Sequence, residues 1–527
     1  MASHKRVRSS SKHEEANVSA FVDSCVDFEA NVTFYTVDEG RTLTVKEGRV
    51  QTVLVLGTDA QLREPSAVST CPFYDVVAAA AAASAPEACA YVVSVTSKLR
   101  VLIGKVPSEA SRHNCPSRPD VIAKIVKQAI SECPADDSLA GLDIYYLGSG
   151  YEVSAASAIA RSCNQSFSAK RGLAEQSYLN VGRPVRAVVP SGKPAALAIV
   201  ARSVQLCQRL VNAPTNLLDT VTFTEIAVRW AEKLKKGGLD VSVDVIAGEE
   251  LRERGYGGIY GVGKAAEYPP QLVTLSYKPM AGISPKEKIA FVGKGIVYDT
   301  GGLCIKSREG MCTMKHDMGG AAAVFCGLLA LAQLSTPVEA SCVLCIADNA
   351  VGPRAQRPDD IIRMKSGVTV EINNTDAEGR IVLSDGVYHA SHELSYTPNI
   401  IVDMATLTGA QGVATGMHHA AIYTTTDACE ARFVQTGKVS GDLCFPVVYC
   451  PEFHNAEFTS AVADYKNSVK NRSNAQVSCA GQFIGNNLAK DYKGEWVHVD
   501  LASPATRDEA TGFGVALIAQ TFAEELI

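Results

Sequence analysis

The feature that most constrains the fold is a repeated alternation of short apolar runs with helical stretches in the second half of the 527-residue chain. Runs this short and this rich in Val, Ile and Leu are typical of buried strands. The runs are Val241–Ile246, Leu272–Tyr277, Lys288–Gly293, Ala340–Ile346, Val368–Ile372, Ile400–Met404 and Trp496–Leu501, and the clearest helical stretches are Gly320–Leu334 and Ile381–Leu394. We therefore expect a large α/β/α domain with a mixed central sheet, and chemistry in the loops at the carboxyl ends of its strands.

The same alternation occurs on a smaller scale in the first 190 residues. Strands are predicted at Gln51–Leu56, Leu99–Ile103 and Leu142–Leu147. An amphipathic helix is predicted over Pro119–Ile130, with the proline in its first turn. No reactive side chains cluster here and no nucleotide-binding fingerprint is present. This part is expected to be a smaller α/β domain with a scaffolding or regulatory role.

Breaks in the pattern suggest where the domains end. Val189-Pro190-Ser-Gly192 precedes a helical periodicity that stops at Asn212-Ala-Pro214, and a capping box at Thr222–Glu225 is expected to open the next helix. We predict a disordered basic tail over residues 1–20, an N-terminal α/β domain over 21–190, a linker helix over 191–213 and a catalytic domain over 214–527.

Composition excludes several classes of protein. The net charge of −6 argues against binding nucleic acid or a membrane surface through bulk positive charge. No apolar run approaches the length of a membrane span, and no apolar region follows the basic N-terminus as a secretory signal requires. The 16 scattered cysteines indicate a reducing compartment, so we expect a cytoplasmic protein. Cys342 and Cys345 lie in a strand-like run and are interpreted as buried thiols.

One segment resembles a nucleotide-binding motif but lacks a residue that the motif requires. Gly258–Lys264 nearly matches a phosphate-binding loop, but Ala265 stands where a metal-binding hydroxyl is needed. Pro269-Pro270 also prevents a following helix. We interpret this segment as a glycine-rich turn between strands.

Two segments that each follow an apolar run collect the reactive side chains. The first, Gly293–Gly320, is expected to place Lys294, Asp299, Lys306 and Asp317 on glycine-rich loops. The second is Asn373–Arg380. If it stays extended, its even-numbered residues share one side, because side chains alternate. These are Asn374, Asp376, Glu378 and Arg380.

Four acids in one pocket repel one another, so positive charge is required. The lysines supply part of it, and divalent metal ions held by oxygen ligands would supply the rest. Two ions that share carboxylates can flank one water, lower its pKa and clamp the reacting oxygen. The same carboxylates would also suit a two-metal phosphoesterase, although no histidine-rich site is present, and two solvated charged loops are the simplest alternative. A binding role for the N-terminal domain is a third.

The string Asn373-Asn-Thr-Asp-Ala-Glu-Gly-Arg380 resembles the signature of the M17 leucyl aminopeptidases. Lys294–Asp317, Asp403–Ala410 and Asn212–Asn216 are similar to that family as well. The resemblance covers residues 210–520 and, in the N-terminal part, domain layout only. It implies a two-domain α/β fold and an aminopeptidase that releases Leu and similar apolar residues from peptide N-termini by attack of a metal-bridging water.

The resemblance also implies roles for individual residues. Metal ligands would be Lys294, Asp299, Asp317, Asp376 and Glu378. Asp299 and Glu378 would bridge two divalent ions, which could be Zn²⁺, Mn²⁺, Mg²⁺ or Co²⁺. Lys306 would polarise the scissile carbonyl, and Arg380 would hold a bicarbonate ion as general base.

Substrate recognition and assembly follow from the same resemblance. Substrate-binding positions would be Met314, Asn374, Thr406 and Leu407. His316, Ala347–Ala350 and Ser478–Phe483 depart from the pattern common in the family, which leaves side-chain preference open. Partners would be peptide substrates and further copies of the chain in a homohexamer, a dimer of trimers. Neither a membrane nor nucleic acid is expected as a partner.

Overall fold

Two helix-flanked sheets organise the chain in the computed structural model. The structure describes residues 12–40, 51–64, 71, 74–83, 90–96, 99–133, 141–163, 167, 184–190 and 192–527. A six-stranded sheet forms from the N-terminal part, and an eight-stranded and a three-stranded sheet form from the C-terminal part. The expected two-part α/β architecture is therefore confirmed.

The N-terminal sheet has the strand order β1-β6-β5-β2-β4-β3 and is parallel except between β3 and β4. Its strands are β1 (Val32–Tyr35), β2 (Gln51–Gly57), β3 (Ala90–Thr96), β4 (Leu99–Lys105), β5 (Leu142–Tyr146) and β6 (Val185–Val188). Its helices are α1 (Lys12–Val26), α2 (Val37–Gly40), α3 (Asp59–Arg63), α4 (Tyr74–Ala83), α5 (Pro119–Ser131) and α6 (Glu152–Cys163). Every residue of β2 is buried, which explains its unbroken apolar sequence.

Helix α1 corrects the predicted disordered tail. Residues 12–20 belong to this helix, whereas residues 1–11 lie outside the described part of the chain. Val18 and Phe21 are buried, and Trp230 Nε1 donates a hydrogen bond to the carbonyl of Cys25 at 3.1 Å. Apolar burial against a distant segment holds the helix, and the basic, serine-rich sequence ahead of it gives no sign of that contact.

The C-terminal strands are β7 (Asp240–Ala247), β8 (Gln271–Lys278), β9 (Glu287–Asp299), β10 (Val338–Asn349), β11 (Ile361–Arg363), β12 (Thr369–Glu371), β13 (Ile400–Ala405), β14 (Ala420–Thr424), β15 (Cys444–Pro446), β16 (Tyr465–Lys466) and β17 (Glu495–Asp500). The large sheet has the order β15-β14-β17-β13-β9-β10-β8-β7, and the small one β11-β12-β16. Antiparallel pairs join β7 to β8, β8 to β10 and β14 to β17. The mixed central sheet is confirmed.

The helices of this part are α7 (Pro194–Asn212), α8 (Thr220–Lys236), α9 (Glu249–Glu253), α10 (Gly257–Gly263), α11 (Arg308–Met311), α12 (Gly319–Gln333), α13 (Gly379–Tyr388), α14 (Gly409–Ala414), α15 (Asp427–Ser440), α16 (Pro451–His454), α17 (Gln476–Gly485) and α18 (Val515–Ala523). Short 3-10 or π turns lie at Met314–Met318, His389–Glu393, Asn455–Phe458 and Glu524–Leu526. In the described part of the chain, no helix combines the length and the apolar character that crossing a membrane demands.

The central strands of the large sheet run in one direction. β17, β13, β9 and β10 are neighbours joined by parallel pairings. Asp299 lies opposite Asn349 at the ends of β9 and β10, and Ala405 lies opposite Asp500 at the ends of β13 and β17. The carboxyl ends of these strands therefore meet at one edge of the sheet, where ligand sites of α/β folds form.

The helix predicted as a linker corresponds to α7. It packs against α6 of the N-terminal part and against α12 and α18 of the C-terminal part. One continuous apolar cluster contains residues of both parts, including Leu56 and Phe325. Helix α7 is thus a member of a shared core as well as a connection, and the exact domain limits stay a prediction.

Helix α8 begins before the predicted capping box. Its N-cap is Asp219, whose side chain accepts the backbone N–H of Thr222 at 2.7 Å. Thr222 therefore lies inside the helix, and the predicted start at Thr222–Glu225 is wrong. The aspartate three residues earlier is an equally strong N-cap, and it takes the position.

The glycine-rich segment Gly258–Gly263 is a helix, α10, instead of the predicted turn. Asp385, which is distant in sequence, accepts the N–H groups of Gly258 and Ile259 at 2.8 and 3.0 Å. A buried carboxylate thus satisfies the exposed donors at the start of this helix. Local sequence could not predict that contact.

Cys342 and Cys345 lie in β10 and are buried, as interpreted from their strand-like run. Burial raises the pKa of Cys342 to about 12 and also raises that of Cys345. Thiols in this state are poor nucleophiles. Among the described cysteines no disulfide is formed.

Candidate functional site

Strand β9 itself carries two of the predicted site residues. The sequence places Lys294 and Asp299 on a loop, but β9 continues to Asp299, so that prediction is wrong. The neighbouring Gly293 has a packing role, because a Cβ there would lie 2.4 Å from the Cα of Ala321 in α12. The glycine that suggests a loop instead lets a helix approach the strand closely.

The chain turns sharply after β9, and the turn is tied to the second motif. Gly301 has a φ of +83°, a conformation that favours glycine. Its carbonyl accepts a hydrogen bond from Thr375 Oγ1 at 2.6 Å, and the same hydroxyl accepts the N–H of Cys304 at 2.7 Å. Thr375 thereby holds the two motifs face to face.

Lys294 connects three segments. Its Nζ lies 2.8 Å from Asp317 Oδ1 and 3.0 Å from Glu378 Oε1, and it donates to the carbonyl of Thr406 at 3.0 Å. Thr406 Oγ1 donates to the same Asp317 oxygen at 2.9 Å. The turn at Met314–Met318 and the end of β13 thus meet at one buried ammonium group.

Lys306 forms the corresponding contacts on the more open side of the site. Its Nζ lies 2.8 Å from Asp299 Oδ2 and 2.5 Å from Asp376 Oδ1. Its side chain is 17% exposed, against 3% for Lys294. Lys306 is therefore the lysine that a molecule entering from solvent can reach.

The second motif is a turn leading into α13. Asn374 Oδ1 accepts the N–H of Asp376 at 3.0 Å, and Glu378 occupies the N-cap position of α13. The prediction of an extended segment is wrong, because the side chain of Asn374 folds the backbone back. The turn and the first helical turn still direct Asp376, Glu378 and Arg380 to one place.

The carboxylates form a group that fits divalent cations. Asp299, Asp376 and Glu378 each offer an oxygen within 4.8 Å of the others. Asp317 Oδ2 and Glu378 Oε2 are buried and have no hydrogen-bond partner among the described residues. Buried oxygens without partners are costly, and the four acids outnumber the two lysines. A hard cation with oxygen ligands would satisfy both conditions.

The pKa values of the site residues are shifted because the charged groups are buried close together. Burial raises the pKa of Asp317 and Glu378, nearby carboxylates raise it further, and Lys294 opposes the rise. Burial alone would lower the pKa of Lys294, but Asp317, Glu378 and Asp299 outweigh burial and raise it. A cation that binds Lys294 Nζ must therefore displace a firmly held proton.

Arg380 is buried beside the acidic group. Its Nη1 donates to the carbonyl of Asn467 at 3.1 Å, while its Nε has no hydrogen-bond partner among the described residues. Burial lowers the pKa of Arg380 to about 10, so it remains charged at neutral pH. A guanidinium edge without an acceptor suits a small anion.

A cavity of about 360 Å³ opens over the cluster. The predicted site residues all line it, namely Lys294, Asp299, Lys306, Met314, Asp317, Asn374, Asp376, Glu378, Arg380, Thr406 and Leu407. His316 also lines it, and burial lowers the pKa of its imidazole to about 4. The structure thus brings every predicted residue to one cavity, while the role of each stays a prediction.

Sequence reasoning misses the residues that hold the motifs in place. Asn349 Nδ2 donates to Asp299 Oδ1 at 2.7 Å. Asn467 Oδ1 accepts the N–H groups of Asn373 and Asn374 at 2.9 and 3.2 Å. Asn349 ends an apolar strand next to β9, which is a usable signal, but no local pattern marks Asn467.

Two protein-family models and a curated relative match this chain. Residues 205–519 match the model of the cytosol aminopeptidase family, catalytic domain, and residues 51–173 match M17 aminopeptidase N-terminal domain 2. A probable aminopeptidase, NPEPL1, of Mus musculus is 44% identical over 80% of this chain and 79% of its own length.

Solved structures are similar over almost the whole chain. Leucyl aminopeptidase from Trypanosoma brucei in complex with actinonin has a TM-score of 0.91 and 47% identity, covering 98% of this chain and 100% of that one. The apo leucyl aminopeptidase from Trypanosoma cruzi has a TM-score of 0.89 and 51% identity, covering 96% and 99%.

Fold, site and comparisons together define a metallo-exopeptidase. The chain belongs to the M17 cytosol aminopeptidase family. The resemblance drawn from Asn373–Arg380 is confirmed, and so is the enzyme class that it implies.

Proposed function

We propose that this protein is a two-metal aminopeptidase that releases Leu and similar apolar residues from the N-termini of peptides. The observation that carries the proposal is the group of four carboxylates and two lysines at the base of one cavity, in which two buried carboxylate oxygens have no hydrogen-bond partner among the described residues. Such a group suits two cations and the amine end of a peptide.

The metal ligands would be Lys294, Asp299, Asp317, Asp376 and Glu378. The ions would be Zn²⁺, Mn²⁺, Mg²⁺ or Co²⁺, and when bound they supply an activated water and a Lewis acid for the scissile carbonyl. The convergence of Asp299, Asp376 and Glu378 within 4.8 Å supports carboxylates shared between the ions. Lys294 would bind as the neutral amine.

Lys306 and Arg380 would act on the reacting groups. Lys306 is the partly exposed cation of the site, and its ammonium would stabilise negative charge that develops on the carbonyl oxygen of the substrate. Arg380 would hold a bicarbonate ion through the guanidinium edge that has no described acceptor. A bicarbonate held there would supply a general base for the attacking water.

Met314, Asn374, Thr406 and Leu407 would contact the substrate. All four line the cavity, and Met314 and Leu407 supply apolar surface for the first side chain. A pocket of this kind discriminates by only about 1–3 kcal/mol per methylene. A graded preference for Leu and Met over smaller residues is therefore expected.

The proposal extends to assembly and location. A homohexamer, a dimer of trimers, is expected from the family, and light scattering that gives the mass of one subunit would contradict it. A cytoplasmic location is supported by the cysteines, which form no disulfide among the described residues.

The test is hydrolysis of leucine anilide by protein loaded with Zn²⁺ or Mn²⁺, with and without a chelator. Leucine release that depends on the metal is expected, and Glu378→Ala should reduce kcat by about a thousandfold or more. Glu232→Ala is the matched control, because Glu232 is an exposed carboxylate on α8 outside the cavity. Absence of metal-dependent release from the unaltered protein would reject the proposal.

A further inference from the structure

One cation of the cavity has no polar partner among the residues that the structure describes. Lys294 and Lys306 are paired with carboxylates, and Arg380 donates to a carbonyl. Arg472 also lines the cavity, but it is exposed, and its guanidinium has neither an ion pair nor a hydrogen bond to any residue that the structure describes. It therefore presents an unused charge to whatever occupies the cavity.

The backbone that carries Arg472 is well anchored. Asn471 and Asn474 form a turn around it, with the N–H of Asn474 donating to the carbonyl of Asn471 at 3.1 Å. Glu457 accepts the N–H of Asn471 at 2.8 Å and Asn474 Nδ2 at 2.6 Å. The backbone that bears the guanidinium is thus held in place, so only the side chain of Arg472 has to be ordered when it binds a ligand.

The same segment is fixed to the catalytic motif. Asn467 Nδ2 donates to the carbonyl of Asn374 at 2.6 Å, and the N–H of Ser468 donates to Asn373 Oδ1 at 2.9 Å. Ser468 and Arg472 both line the cavity. The position of Arg472 relative to the acidic group is therefore set by the fold.

The negative charges of the cavity are mostly buried, whereas the positive charge of Arg472 is exposed. Asp299, Asp317 and Glu378 are at most 6% exposed, whereas Arg472 lies at the solvent side. A short peptide carries the complementary charges, with an ammonium group at one end to face the acids and a carboxylate at the other to face Arg472. At about 360 Å³ the cavity is small for a ligand site, so it encloses only the first residues of a peptide.

We propose that Arg472 binds the α-carboxylate of short peptide substrates, so that the enzyme prefers free-acid peptides of two to four residues. This inference rests on the proposed aminopeptidase function. A guanidinium matches a carboxylate through two parallel hydrogen bonds, which makes it the most suitable side chain for this task. Because the contact is solvent-exposed, its strength decreases as salt concentration rises.

The experiment compares Leu-Gly, Leu-Gly-Gly and Leu-Gly-Gly-Gly with their C-terminal amides, and uses leucine anilide as a substrate without a carboxylate. For the metal-loaded full chain, kcat/KM should favour the free acid by about three- to tenfold at one or more of these lengths, mainly through KM. In Arg472→Gln the ratio of acid to amide should fall to about one, while activity on leucine anilide stays unchanged. Arg472→Lys should keep part of the preference.

Lys470→Gln is the matched control. Lys470 is an exposed cation two residues away on the same segment and does not line the cavity. Lys470→Gln should reduce the preference less than Arg472→Gln does. If it reduces the preference as much, electrostatic attraction between the peptide carboxylate and any nearby positive charge explains the preference, and the proposal is overturned. It is also overturned if Arg472→Gln retains the preference, or if no length shows one. Absence of leucine anilide hydrolysis by the unaltered, metal-loaded chain would instead reject the underlying aminopeptidase function.

Discussion

Lys294 is a buried cation whose charge is balanced by carboxylates from separate segments of the chain. The contact with Asp317 and Glu378 explains how an ammonium group that is 3% exposed can remain charged. A buried ionisable group that lacks such partners behaves in the opposite way. His389 is the example, because among the described residues the hydrogen-bond partners of its two ring nitrogens are hydroxyl groups.

His389 should make stability depend on pH. Tyr256 Oη lies 2.8 Å from its Nδ1 and Thr274 Oγ1 lies 3.2 Å from its Nε2, and burial lowers its pKa to about 4. The unfolded chain binds this proton near its usual pKa of about 6.5. Stability is therefore fully present above that pH and is lost as pH falls from 6.5 towards 4, by about 3 kcal/mol at most.

Urea unfolding of the unaltered protein and His389→Gln between pH 4 and 7.5 measures this effect. The glutamine can accept and donate the same hydrogen bonds but does not titrate. The free energy of unfolding of the unaltered protein minus that of His389→Gln should fall by up to about 3 kcal/mol as pH falls from 7.5 to 4. Parallel curves over the whole range would show that the folded imidazole binds its proton normally.

At the scale of elements, the site depends on how closely α12 packs on β9. Gly293 leaves no room for a Cβ, which would lie 2.4 Å from the Cα of Ala321. The close approach brings the start of α12, and with it Asp317 just before the helix, next to Lys294 of the strand. The geometry of the acidic cluster is thus a consequence of helix-on-strand packing.

Gly293→Ala should destabilise the protein by about 2–3 kcal/mol, because a backbone contact cannot move aside as a flexible side chain can. Thermal and urea unfolding measure the change. Gly192→Ala is the control, since a Cβ there meets no atom within 4 Å, and its effect should stay within about 0.5 kcal/mol. Equal stability of the two variants would mean that β9 and α12 can separate without cost.

At the scale of the whole molecule, the two parts share a core, and an ion pair with a fully buried carboxylate joins them. Arg161 of α6 lies 2.6 Å from Asp442 Oδ1, and Asp442 is fully buried. The other carboxylate oxygen accepts the N–H groups of Gly514 and Leu517 at 3.0 and 3.2 Å, at the start of α18. A single carboxylate thus links the N-terminal part to the last helix of the C-terminal part.

Arg161→Met should cost about 2–4 kcal/mol of unfolding free energy, because it leaves the charge of Asp442 buried without a cation. Arg63→Met is the control. Arg63 pairs with Asp59, which is 40% exposed and also contacts Lys105, so a loss below about 1 kcal/mol is expected. Similar losses for both variants would show that the Asp442 pair adds nothing to the contact between the two parts.

The sequence by itself determined the central strands of the two large sheets, the helices α5, α7, α8, α12 and α13, the family and the identity of the residues predicted for the cavity. Apolar periodicity is a local property, and Asn373–Arg380 is a specific string, so both can be read without coordinates. Tertiary structure decided what depends on contacts between distant residues. Examples are the burial of helix α1, the capping of α10 by Asp385 and the continuation of β9 through Gly293. The guanidinium of Arg472, which has no partner among the described residues, belongs with them, because only folding determines which cations of the cavity find a partner.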